Sequence, residues 1–365
     1  MIEVVRRLKA GNVLVVSRER SFNLSGASRV FGEIEKSGVL VSRFGDFSEN
    51  PKIEDISKGV SLIASVKPDL VVAIGGGSAI DTAKLVNFFP ARGVTAEQYI
   101  SGNTGVNEKC RPFIAIPTTA GSGSEATGFA VLYVDKKKYS VEHPSLRPLI
   151  AILDPDLTLS LPGAVIASSG IDALSQAVES YWSVNSNTES KMYAEEAVNA
   201  LSRNMADAFS RKSPAAMAAM MEEAYLSGKA INITRTTAPH AISYALTSHY
   251  GVSHGQAVGL LLPSFFEYNY NVTEQDCADK RGVSYVRETL RNICLMFGCG
   301  DPVSAGRKIR ALMSEIGLKT RLSQLGVREG PQIELLVENV NAERLMNNPR
   351  IVTKKSVREL LTGMI

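Results

Sequence analysis

Residues 70–84 read Leu-Val-Val-Ala-Ile-Gly-Gly-Gly-Ser-Ala-Ile-Asp-Thr-Ala-Lys, and this stretch constrains the fold more than any other. An unbroken apolar run is a strand covered on both faces, and the glycines turn it directly into a helix. Without side chains, the turn lets backbone approach an anion, and the free N–H groups and dipole of the new helix can hold it. Ser78 stands where it can cap that helix, with Asp81 three residues on in capping-box position. A pyrophosphate suits such a turn, and so does a plain tight connection with no ligand. The G-x-G-x-x-G spacing of ordinary dinucleotide folds is absent.

The first half repeats this rhythm. Asn12 to Val16, Val39 to Val41, Asp69 to Ile74 and Pro112 to Pro117 are strand candidates, and amphipathic stretches such as Ile53 to Ser65 lie between them. Strands alternating with helices imply βαβ units and a parallel sheet. A second loop, Ile116 to Glu125, follows a strand and is dense in hydroxyls and small residues. Two such loops at the carboxyl ends of parallel strands mark where α/β sheets bind ligands. After about Leu161-Pro162 strand-like runs become rare and helical spacing takes over. Ser213 caps a clear helix, Pro214 occupies its first turn, and Ala215 to Lys229 fill it. The expected architecture is an α/β nucleotide-binding domain over residues 1–162 and an all-α domain over 163–365.

Bulk properties narrow the function. The 40 Lys and Arg nearly balance the 37 Asp and Glu, giving a net charge of +3, so nothing points to a nucleic-acid partner. No window has the roughly 18 apolar residues that a membrane span needs. The first residues carry Glu3 and no apolar run, unlike a signal peptide. The four cysteines form no C-x-x-C pair. Together these features predict free thiols and a cytoplasmic protein.

There are four histidines, His143, His240, His249 and His254. Upstream of the last three lie Asp172 and Gln176, which project from one face of a helix one turn apart. A carboxylate and two imidazoles suit a divalent site for zinc or ferrous iron, with Gln176 as a weaker carbonyl ligand. Taken singly, each histidine is more often a packed structural residue than a ligand.

Five segments carry a family likeness: GGGSAIDTAK (Gly75 to Lys84), PTTAGSGSEAT (Pro117 to Thr127), DPDLTLSLP (Asp154 to Pro162), GIDALSQAVES (Gly170 to Ser180), and the pair Pro239-His240 with Ser253-His254-Gly255. The chain resembles iron-containing alcohol dehydrogenases of the dehydroquinate-synthase-like fold. The resemblance implies NAD(P) bound by the α/β domain and a metal on the helical side. It assigns Gly76, Gly77 and Ser78 to the pyrophosphate, Thr118 and Thr119 to the nicotinamide end, and Lys138 to a ribose. Asp172, His240 and His254 match three of four metal ligands; the fourth, normally histidine, is Gln176 here. Tyr244 stands where many relatives have a histidine that could relay a proton, and His249 is a second candidate for that role. Relatives also have a further strand segment ahead of Val13.

NAD-preferring relatives carry an aspartate after the first strand, and here that position is Arg18. Its guanidinium suits a 2′-phosphate, so NADPH is expected over NADH. The segments Lys229 to His254 and Gly170 to Asn185 are most like the phosphonoacetaldehyde reductase branch. That branch implies reduction to 2-hydroxyethylphosphonate, with Arg235 as the candidate partner for the phosphonate. Other readings of the fold are oxidation of a sugar-acid terminal alcohol, a dehydroquinate-synthase-like lyase, and a cofactor-binding protein without turnover. The expected partner is a small aldehyde or alcohol, and a homodimer is the assembly that the resemblance implies.

Overall fold

The computed structural model describes residues 1–105, 109–135 and 137–365. The chain divides into two compact units. One comprises Met1–Thr119 with Ser124–Ser160; the other comprises Ala120–Gly123 with Leu161–Ile365.

The first unit runs α1 (Ile2–Arg7), β1 (Asn12–Val16), α2 (Glu19–Leu24), α3 (Ala27–Lys36), β2 (Leu40–Phe44), α4 (Ile53–Val66), β3 (Leu70–Gly75), α5 (Gly77–Arg92), α6 (Ala96–Ile100), β4 (Phe113–Pro117), β5 (Phe129–Val134), β6 (Lys137–Glu142) and β7 (Ile150–Ala151). Five strands form a parallel sheet in the order β2-β1-β3-β4-β7. Alternate residues feed two cores. Leu14, Val16, Val71, Ala73, Phe113 and Ala115 pack on the face covered by Ile56, Ile63, Val86 and Phe89. Val13, Val15, Val72, Ile74 and Ile114 pack on the other with Val5, Phe31 and Ile34. All six residues of β3 are buried, which is why the sequence there is apolar without alternation.

The four strands expected from the sequence are present; β1 has the expected bounds, and the other three differ by one to three residues at one or both ends. Two features have no counterpart in that reading. β5 and β6 form an antiparallel hairpin, with Phe129 opposite Glu142 and Tyr133 opposite Lys138, and the two-residue β7 extends the main sheet. Ahead of β1 lies helix α1.

The second unit contains α7 (Gly163–Trp182), α8 (Thr188–Ser210), α9 (Pro214–Thr234), α10 (Ala238–Tyr250), α11 (His254–Tyr270), α12 (Val283–Met296), α13 (Pro302–Glu315), α14 (Gly330–Glu338), α15 (Ala342–Leu345) and α16 (Lys354–Thr362). Ser213 accepts the Ala216 N–H and Pro214 opens α9, as expected. α7 is the central helix, packed by α8, α9 and α11. Its approach to α11 is set by glycine. A methyl group at Gly255 would lie 1.8 Å from the Ser168 carbonyl oxygen, and one at Gly259 would lie 2.5 Å from Ile171 Cγ1. Among the described residues, no helix is long and apolar enough to cross a membrane.

Candidate functional site

In the first unit the glycine turn and the hydroxyl-rich loop meet. The Thr118 N–H donates to the Gly75 carbonyl at 3.0 Å. A methyl at Gly76 would come within 3.1 Å of Thr119 Oγ1, so only glycine leaves both groups in place. Gly75 has φ 152° and Ala79 Cβ close above it, which also excludes a side chain.

This geometry corrects the capping expected from the sequence. Ser78 is not the cap. α5 starts at Gly77, its cap position is Gly76, and no side chain closes it. Ser78 lies within the first turn and its Oγ accepts the Asn50 N–H at 3.2 Å. The sharp turn at Gly75 brings the chain into helix before the serine is reached. The amides of Gly77 and Ser78, the first two of the helix, therefore have no intrahelical acceptor. Asp81 does not reach back to the cap either. Its buried carboxylate accepts Ser124 Oγ at 2.5 Å and the Val131 N–H at 3.0 Å, and burial raises its pKa.

Lys84, to which the sequence reading gave no role, is 1% exposed. It donates to the carbonyls of Thr127 and Phe129, both at 2.8 Å, and to Thr127 Oγ1 at 3.1 Å. Burial pulls its pKa down to about 8 against the pull of Asp81 and Glu125. One turn apart on α5, Asp81 and Lys84 thus fasten residues 124–131 to the helix that carries the glycine turn. Lys138 lies half-buried on β6, close enough to act electrostatically on Asp81. Arg18 follows β1 at the start of α2. It is half exposed and pairs with Glu49 at 3.4 Å.

The second unit brings Asp172, His240 and His254 together, with ligand atoms all within 4.8 Å of one another. Asp172 Oδ1 lies 3.3 Å from His240 Nε2 and 3.9 Å from His254 Nε2. Donors about 2.1 Å from a tetrahedral ion stand roughly 3.4 Å apart, so these separations fit a divalent cation. Gln176, one turn beyond Asp172, is buried. Its Nε2 donates to the Ser122 carbonyl at 3.3 Å, while its Oε1 has no hydrogen-bond partner. A buried oxygen left unmet is what a fourth ligand needs, and this donor set fits a metal.

Glu179 lies near the end of the GIDALSQAVES segment on α7. It is fully buried. One oxygen receives His240 Nδ1 in a short contact. The other accepts Thr237 N at 2.7 Å and Thr237 Oγ1 at 2.8 Å, and Trp182 Nε1 donates to Thr237 Oγ1 at 2.9 Å. A carboxylate on Nδ1 fixes the imidazole so that Nε2 faces the metal position. Burial alone would lower the pKa of His240, but Glu179 and then Asp172 outweigh it and hold it at about 10 without a metal. The sequence signal was available: Glu179 lies seven residues after Asp172, on the same helical face.

Tyr244 stacks on His254 with ring centroids 5.8 Å apart and planes 24° apart, and His240 meets His254 edge-on. His249 does not join them. Nine residues beyond His240, it projects from the opposite side of α10, roughly 13 Å further along the axis. Tyr244, four residues on, keeps the face. Arg235 ends α9 with φ 62° and ψ 170°, and its Nη1 donates to the Asn232 carbonyl at 2.5 Å.

Comparison with known proteins agrees with this geometry. The family model described as iron-containing alcohol dehydrogenase matches residues 1–155, and the C-terminal model of the same family matches 166–365. A phosphonoacetaldehyde reductase of Streptomyces viridochromogenes is 34% identical over 82% of this chain and 77% of its own length. A long-chain-alcohol dehydrogenase of Geobacillus thermodenitrificans is 30% identical over 95% and 87%. Among solved structures, a sulfoacetaldehyde reductase of Bifidobacterium kashiwanohense in complex with NAD+ superposes with a TM-score of 0.86. It is 30% identical, with coverage of 100% of this chain and 93% of that one.

Proposed function

Because the chain belongs to the iron-containing alcohol dehydrogenase family, we propose that it uses NADPH to reduce a short aldehyde ending in an anion, phosphonoacetaldehyde to 2-hydroxyethylphosphonate. The observation that carries the substrate is the agreement of two separate comparisons. One relative by sequence is a phosphonoacetaldehyde reductase, and one relative by structure is a sulfoacetaldehyde reductase. Both names describe a two-carbon aldehyde with a strong anion at its far end.

The residues divide the work between the two regions. Residues 1–162 bind the cofactor and 163–365 hold metal and substrate. The open first-turn amides around Gly76, Gly77 and Ser78 would take the pyrophosphate, Thr118 and Thr119 the nicotinamide end, and Lys138 a ribose. Arg18 would take the 2′-phosphate. Its exposed pair with Glu49 contributes at most about 1 kcal/mol, so the guanidinium is readily redirected. Asp172, Gln176, His240 and His254 would hold Fe²⁺ or Zn²⁺. Such an ion, when bound, supplies Lewis-acid stabilisation of the charge that develops on the aldehyde oxygen. NADPH supplies the hydride. Tyr244, beside His254, passes the balancing proton toward that oxygen through its hydroxyl.

Arg235 binds the phosphonate. It stands five residues before His240, and its positive φ with extended ψ costs an arginine about 1–3 kcal/mol, a strain often retained at functional positions. Arg235→Gln removes a charge-assisted contact worth about 1.5–3 kcal/mol. The expected result is a KM for phosphonoacetaldehyde raised by at least about tenfold, with the KM for propanal unchanged. Equal effects on both aldehydes would reject Arg235 as the anion partner.

A further inference from the structure

The two ends of the Gln176 amide are in different situations. The residue is 4% exposed. Its Oε1 is buried with no hydrogen-bond partner, while its Nε2 donates to the Ser122 carbonyl at 3.3 Å. Asp172 is one turn back on α7 and projects from the same face. Gln176 therefore shares a helix face with Asp172, whose Oδ1 is approached by the Nε2 atoms of His240 and His254.

The Ser122 end is equally confined. A methyl group at Gly121 would lie 2.5 Å from Ser169 Cβ, and one at Gly123, whose φ is 62°, would lie 2.4 Å from Gly228 Cα. Residues 120–123 are thus wedged against α7 and α9, and Gln176 supplies a hydrogen bond from α7 to them. Along the chain Ser122 comes three residues after Thr119.

We propose that Gln176 couples metal binding to cofactor binding. An amide is planar, so an ion on Oε1 also fixes the direction of the N–H at the other end, and it polarises that N–H into a stronger donor. The Ser122 carbonyl is then held harder, and the Thr118–Thr119 segment leading into it is ordered for NADPH. This rests on the metal site and the cofactor role of Thr118 and Thr119 given above. Linkage requires the converse as well: NADPH must tighten metal binding by the same factor.

The test measures NADPH dissociation constants by nicotinamide fluorescence. It uses protein stripped with a chelator and protein loaded with Co²⁺, whose visible bands report occupancy. Wild type should bind NADPH at least about fivefold more tightly when loaded, and saturating NADPH should tighten Co²⁺ by the same factor. Gln176→Glu keeps an oxygen for the metal but has no N–H for Ser122. It should still show cobalt bands, while its NADPH affinity changes less than about twofold on loading. Wild type with cobalt bands and metal-independent NADPH binding would overturn the coupling and leave the metal site standing. Coupling in Gln176→Glu equal to wild type would also overturn it, because the route would not pass through the N–H. If wild type shows no cobalt bands, the metal site and this inference fail together. If Gln176→Glu does not fold, the two wild-type factors decide: equal factors above fivefold support the coupling, and unchanged affinities refute it.

Discussion

Replacing Glu179 by glutamine removes one charge and almost no volume, and its effect can be worked from the hydrogen bonds. Glu179 accepts on both oxygens, His240 Nδ1–H on one and two Thr237 donors on the other. A glutamine has one acceptor and one NH₂. If the NH₂ faced Thr237, it would set donors against two buried donors. If it faces His240, only one contact is affected, and that contact is rescued when Nδ1 becomes the acceptor. The imidazole proton then moves to Nε2, the atom facing Asp172 and the proposed metal. A buried hydrogen bond to a charged group is worth about 1.5–3 kcal/mol, and loss of an outer partner of a metal-bound histidine typically weakens metal binding about 10–100-fold. Glu179→Gln should therefore raise the metal dissociation constant about 10–100-fold while the stripped protein melts within a few degrees of wild type. Competition against a chelating dye and a thermal melt measure the two quantities. A folded variant whose metal affinity is within twofold of wild type would show that Glu179 does not set the tautomer, and the reasoning would be wrong.

Three further perturbations follow from separate contacts. Gly255→Ala would put a methyl 1.8 Å from the Ser168 carbonyl oxygen, so α11 must shift. The expected cost is roughly 1–3 kcal/mol, with weaker metal binding because His254 begins that helix; unchanged melting and affinity would contradict the packing described. Glu223 is buried with one oxygen unmet, and burial, with Glu196 and Glu222 nearby, raises its pKa to about 7. A raised carboxyl pKa favours the folded state when protonated, so this contribution fades as pH rises from about 4.5 through 7. Glu223→Gln should stabilise the protein by about 1–2 kcal/mol at pH 8, after allowance for residual solvation, and by much less at pH 5. A stabilisation that does not change with pH would refute the titration. Arg18→Asp should shift the cofactor preference from NADPH toward NADH by at least about tenfold in kcat/KM ratio, and an unchanged ratio would remove Arg18 from the 2′-phosphate.

Much of the scaffold was legible because its periodicity is strong. Leu70–Gly75 is apolar throughout since a central parallel strand is covered on both faces, and Ser213-Pro214 announces α9 by cap and first-turn chemistry. The β5–β6 hairpin was not legible. Phe129–Val134 is apolar, but Lys137–Glu142 is largely polar and buries only Val141 fully, so neither strand shows a clean alternation. The capping role given to Ser78 failed because a glycine can replace a side-chain cap by turning sharply, and sequence does not record where that turn falls. Within the site, helical phase separates Tyr244 from His249 by spacing alone. Thr237, which donates to one oxygen of Glu179, lies 58 residues away and needed the fold.

The most direct test of the account is the initial rate of NADPH oxidation with phosphonoacetaldehyde, set against propanal, using protein loaded with Fe²⁺ or Zn²⁺. The kcat/KM for the phosphonate should be roughly 10–100-fold higher, on the order of what one well-placed charge contact supplies. Equal rates on the two aldehydes, or turnover of propanal alone, would contradict it.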